Sequence, residues 1–96
     1  MSIKELENRF YEELVEETKI GEITNPVECE FLCAILTKMQ SRVTEQLESD
    51  MVMPAPMKGA LMARSGAYSR LMADLTEKGA QLLFKNYEDT GEIPKV

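Results

Sequence analysis

The sequence predicts an all-α protein of three helices, the second and third forming a long antiparallel hairpin with the first packed along it. Three observations predict this. Apolar residues recur at intervals of three and four over most of the chain, the period of a helix rather than the alternation of a strand. Ser2 with Glu5, and Asn25 with Pro26, each stand as helix-start signatures before such a run. Before the tail, prolines fall only at positions 26, 54 and 56, which divides the chain into three segments.

The first helix is expected over residues 2–19. Ser2 and Glu5 form a capping-box pattern, in which hydroxyl and carboxylate satisfy backbone N–H groups that have no partner in the first turn. Ile3, Leu6, Phe10 and Leu14 build one apolar stripe, with Tyr11 and Val15 as its shoulder. Glu5, Glu12 and Glu16 make the far side acidic.

The second helix is expected over 26–50. Asn25 suits the N-cap, Pro26 the first helical position, and Glu28 falls at the third. Leu32, Ile35, Leu36, Met39, Val43 and Leu47 share a face, and Lys38, Ser41, Glu45 and Glu48 lie opposite.

The connection Met51-Val52-Met53-Pro54-Ala55-Pro56-Met57 follows. Its two prolines forbid helix continuation. Three methionines and a valine in one connection call for burial, either as a lid on the end of the hairpin or as an interface. Met51, Val52, Met53, Met57 and Met62 are the apolar interface candidates.

The third helix is expected over 58–89, with Gly91 near its stop and a flexible tail over 90–96. Leu61, Tyr68, Leu71, Met72, Leu75, Leu82 and Leu83 share one side, which Met62 and Tyr87 widen to about half the circumference. That exceeds the ~100° of an ordinary surface helix, so this helix is expected to touch two neighbours. Gly59, Ala60, Ala63, Gly66 and Ala67 cluster in its first half. Gly costs about 1 kcal/mol relative to Ala in a helix, so close packing or a ligand approach is expected near Gly66. The expected main core is Leu32, Ile35, Leu36, Met39, Val43, Leu71, Leu75 and Leu82.

The 96 residues fit one domain, 1–96, and a hydrophobic content of 44% supports a packed core. The net charge is −6 and the pI near 4.7, which disfavours nucleic acid and anionic membrane as partners. The acids concentrate in residues 1–50, with a net charge of −7 against +1 for the remainder. No run approaches the roughly 20 apolar residues of a membrane span. The opening MSIKELENRF is charged at once and has no apolar signal region, which predicts the cytoplasm.

Cys29 and Cys33 share a helix face, yet a structural zinc site needs four Cys or His ligands and the chain has no His. They read as small apolar residues, so neither metal nor cofactor is expected. Without His, a Ser–His or Cys–His arrangement is excluded within one chain, and no phosphate-binding glycine loop is present, so no catalytic residue is assigned. The pairs Glu13/Glu16, Glu45/Glu48 and Asp74/Glu77 resemble the acid-x-x-acid magnesium ligands of all-α pyrophosphohydrolases. Glu45/Glu48 and Asp74/Glu77, however, project onto polar helix faces, where magnesium would find no converging carboxylates. Arg64 projects inside the apolar arc and must snorkel, pair with an acid, or meet an anionic ligand. Arg64, Ser65, Tyr68 and Arg70 are therefore the candidate partner or anion contacts.

These features lead to the expectation of a non-enzymatic protein-interaction module, self-associating as a homo-oligomer and acting with an unidentified protein as a small regulator or inhibitor. Phage-encoded inhibitors of host defence offer a class-level analogy. The alternatives are a nucleic-acid-binding packaging or regulatory subunit using Lys58, Arg64, Arg70, Lys78 and Lys85 of the third helix, and a metal-dependent nucleotide hydrolase.

Overall fold

The computed structural model describes residues 2–49 and 52–90. It is all-α: α1 (Ile3–Thr18), a short 3-10 turn (Ile20–Glu22), α2 (Pro26–Glu48) and α3 (Ala55–Thr90). Asp50, Met51 and residues 91–96 of the expected tail lie outside the described residues, as do the side chains of Asp89 and Thr90; the backbone of Thr90, expected in that tail, closes α3 instead.

Local chemistry sets the helix ends. Ser2 Oγ accepts the Glu5 N–H at 3.1 Å, and Asn25 Oδ1 accepts the Val27 N–H at 2.9 Å with Pro26 opening the helix. α1 stops at Lys19, which takes a left-handed conformation (φ 50°, ψ 46°) and returns its N–H to Val15 O. The 3-10 turn that follows was not expected. α2 ends two residues earlier than expected, where the Ser49 N–H and hydroxyl both turn back to Gln46 O.

α3 begins at Ala55 rather than at residue 58. Pro56 sits in its first turn, where a missing N–H leaves no helical bond unmade, and Pro54 O accepts from Met57 and Lys58 N–H. The two prolines thus start a helix instead of holding open a loop. Met57 belongs to that helix.

α3 is the backbone of the fold. Its 36 residues span about 54 Å at 1.5 Å per residue, matching the 55 Å long axis of the molecule. α2 lies antiparallel to it: Cys29 stands at Gly79, Cys33 at Thr76 and Met72, and Gln40 at Ser69 and Ser65. α1 lies parallel to it: Glu7 stands at Gly66, Asn8 at Arg70, and Tyr11 at Asp74. α1 and α2 both pack on α3 and scarcely touch each other. The wide apolar arc of α3 therefore serves two neighbours, as the sequence implied.

The core sits along α3. Leu61, Ala63, Ala67, Tyr68, Leu71 and Leu75 are buried against Cys29, Leu36 and Val43 of α2 and Ile23 of the connection. Leu71 and Leu75 are fully buried, each worth roughly 1.5–3 kcal/mol of hydrophobic stabilisation. Two expected core residues are corrected: Ile35 is 40% and Met39 36% exposed. α2 meets α3 through residues 29, 36 and 43, seven apart, which turns Ile35 and Met39 to the side. Leu32 and Leu82 are half-buried at the core's edge.

α1 is rotated from its expected setting. Tyr11, Leu14 and Val15 pack on the core, Leu6 and Phe10 are half-buried, and Ile3, though 47% exposed, lies against Gly59 of α3. No α1 residue is fully buried. The polar contacts of Glu7, Asn8 and Tyr11 with α3 hold this rotation in place.

Candidate functional site

The basic segment at the start of α3 divides into side chains with different surroundings. Arg70 is bound internally to α1: its Nη1 donates to Asn8 Oδ1 at 2.6 Å, lies 3.8 Å from Glu7 Oε2, and its guanidinium sits 4.1 Å from the Tyr11 ring centre. Ser65 accepts from Gln40 Nε2 through its carbonyl at 3.0 Å and its hydroxyl at 3.4 Å. Tyr68 is only 7% exposed and belongs to the core. Arg64 and Arg70 are both exposed, and Arg64 is stacked over Phe10 at 5.4 Å. Arg64, Ser65, Tyr68 and Arg70 do not converge on one surface site, because successive residues of a helix point to different sides and three of these four are used in packing α1 and α2.

Gly66 is explained by close packing. The Glu7 carboxylate lies over it, and a Cβ there would overlap the Glu7 side chain. Tyr11 OH donates to Asp74 Oδ2 beside this contact. That hydrogen bond, together with burial and the Asp74 charge, raises the Tyr11 pKa above its ordinary value, with Arg70 opposing. Asp74 is thus half-buried against α1, which corrects its expected place on a solvated face. Glu13, Glu16, Glu45 and Glu48 are exposed, as are Glu5 and Glu12. Among the described residues, no three His, Cys, Asp or Glu side chains come together as metal ligands.

Cys29 is 2% exposed beneath Gly79, and burial is the main reason its thiol pKa is raised. Cys33 directs its thiol to Met72 O at 3.7 Å. Both behave as packing residues.

The Met-rich candidates also divide. Met53 packs on the core; Val52, Met57 and Met62 are exposed. Met53 alone of these acts as the lid that the composition suggested. No described helix is long and apolar enough to cross a membrane.

A further uncovered apolar feature lies in the trough between α1 and α2. One end is a recess of about 480 Å³ lined by Thr18, Ile23, Val27, Glu28, Phe31 and Leu32. The other is a recess of about 270 Å³ where Phe10 and Leu14 face Met39, with Tyr68 and Arg64 from α3 and Glu13 and Glu17 at its acidic border. On α2, Val27, Phe31, Ile35 and Met39 follow at four-residue intervals, and Phe31 is 66% exposed. Four-residue steps advance about 40° each, so this row winds slowly around α2, with Val27 and Phe31 lining the first recess and Met39 the second. The spacing was legible in the sequence. Two of these residues, Ile35 and Met39, were assigned to the core because nothing local distinguishes an apolar stripe that faces α3 from one that faces away.

The openness is measurable. A monomer of 10.9 kDa ordinarily exposes about 5,600 Å², whereas this chain exposes 6967 Å². Its radius of gyration is 16.2 Å, against about 12.5 Å for a compact chain of this length. Beyond the start of α2, the last turns of α3 add Phe84, 65% exposed, and Tyr87.

Compared with known proteins, the chain matches no family model, no curated protein and no solved structure.

Proposed function

We propose that this protein is a non-enzymatic interaction module that completes its apolar surface by self-association and acts as a small regulator or inhibitor of a larger assembly. One observation carries the reading: the trough between α1 and α2 leaves Phe31, Ile35 and Met39 in water along one side of a thin molecule. An apolar surface of that kind marks an association site in a folded protein. The exposed acids of α1, Glu5, Glu12 and Glu16, add a charged face suited to a basic partner surface.

The hydrolase alternative loses ground because Asp74 is engaged by Tyr11. The nucleic-acid alternative loses ground because Arg70 is bound to α1 and Arg64 lies over Phe10. Light scattering at low and high salt, paired with fluorescence of an apolar dye, tests the proposal. The expected result is an assembly whose mass exceeds 10.9 kDa and persists at high salt. A strict monomer that binds no dye would refute the reading.

A further inference from the structure

The trough also carries information about what fills it, given the reading of the protein as an interaction module. The residues along the outer and trough-facing side of α2 are self-complementary about Ile35. Phe31 and Met39 stand four residues to either side of it, and Glu28 and Arg42 stand seven to either side. All five are exposed, and at 3.6 residues per turn they fall within an arc of about 80°.

We infer that a second copy of this chain docks here, with α2 antiparallel to its mate about a two-fold axis at Ile35. Ile35 then meets its own symmetry mate. Phe31 meets Met39 of the other copy, a thioether against an aromatic ring, and does so twice. Glu28 meets Arg42 of the other copy, also twice, closing both ends of the apolar seam with opposite charges. A parallel arrangement would instead set Glu28 against Glu28 and Arg42 against Arg42. A two-fold interface demands this relation, in which residue i contacts j and j contacts i.

The α1 wall of the trough, Phe10 and Leu14, extends the buried surface beyond α2 itself.

The full chain and its variants are compared by size-exclusion chromatography with light scattering over a concentration series, and circular dichroism checks that each variant retains its helices. The wild type is expected at twice 10.9 kDa. Ile35→Asp is expected to raise the dissociation constant about a thousandfold, since each change acts twice across the axis. Glu28→Arg and Arg42→Glu each weaken the dimer, and the double variant Glu28→Arg/Arg42→Glu restores it. Restoration cannot arise from general unfolding, so it separates the interface from stability. A dimer indifferent to Ile35→Asp, or a double variant no tighter than the singles, overturns this interface and leaves the interaction-module reading standing. A monomer that binds the apolar dye overturns self-pairing in favour of a different occupant, and one that binds none removes both.

Discussion

Replacing Gly66 with Ala sets two effects of similar size against each other, and the geometry around Gly66 decides the sign. Alanine is favoured over glycine in a helix interior by about 0.8–1.0 kcal/mol, because it restricts the unfolded chain more. Against this, the new methyl would overlap the Glu7 carboxylate, so that carboxylate must swing away. It is the far end of a flexible side chain, and what it gives up is modest. Its partners are Lys4 at 3.5 Å and Arg70 at 3.8 Å, both cations substantially exposed to water. Such pairs contribute about 0–1 kcal/mol, and Arg70 keeps its bonds to Asn8 and its place over Tyr11. The net expectation is a gain of about 0.5 kcal/mol, a rise of roughly 2–4 °C in Tm for a chain of this size. In a Glu7→Ala background nothing is displaced, and the gain should approach about 1 kcal/mol. Thermal and urea unfolding of the four proteins of this cycle, at one fixed protein concentration, measure it. A loss exceeding about 1 kcal/mol in both backgrounds would refute the reasoning, because it would mean that backbone, not the Glu7 side chain, closes over Gly66.

Two further outcomes are expected. Lys19→Gly should stabilise the protein by about 1 kcal/mol, since Lys19 holds a left-handed conformation that disfavours any residue with a Cβ; an unchanged unfolding midpoint would show that this helix end is not strained. Tyr11→Phe should cost about 1 kcal/mol at neutral pH by deleting the hydrogen bond to Asp74. The Tyr11 pKa is raised in the folded protein, so the hydroxyl's contribution is fully present below the ordinary value of 10.0 and is lost as pH rises through the folded value. Denaturant melts should therefore show wild type and Tyr11→Phe converging only in strong alkali, and a gap that stays constant there would contradict the assignment.

Much of the fold is written locally. Ser2, Asn25 and Pro26 announce their helix starts because caps satisfy backbone groups within three residues, and the breadth of the apolar arc on α3 foretold two neighbours. Pro54 and Pro56 were harder to place, because a proline that ends one helix is equally suited to open the next.

The uncovered apolar row of α2 was legible only as spacing. Met39 and Leu36 are equally apolar-compatible with a core, and periodicity fixes their relative angles without fixing which angle points at α3. The rotation of α1 was likewise set by Tyr11 with Asp74, Arg70 with Asn8, and Glu7 over Gly66, contacts between residues about sixty apart. The sequence by itself determined three helices, their caps and the central role of the longest one, because those follow from bonds and periods inside single turns. Only the tertiary structure decided that α2 leans on α3 through residues 29, 36 and 43, leaving Phe31, Ile35 and Met39 in water. The direction of a helix face is settled by the partners that compete for it, and those partners lie far away along the chain.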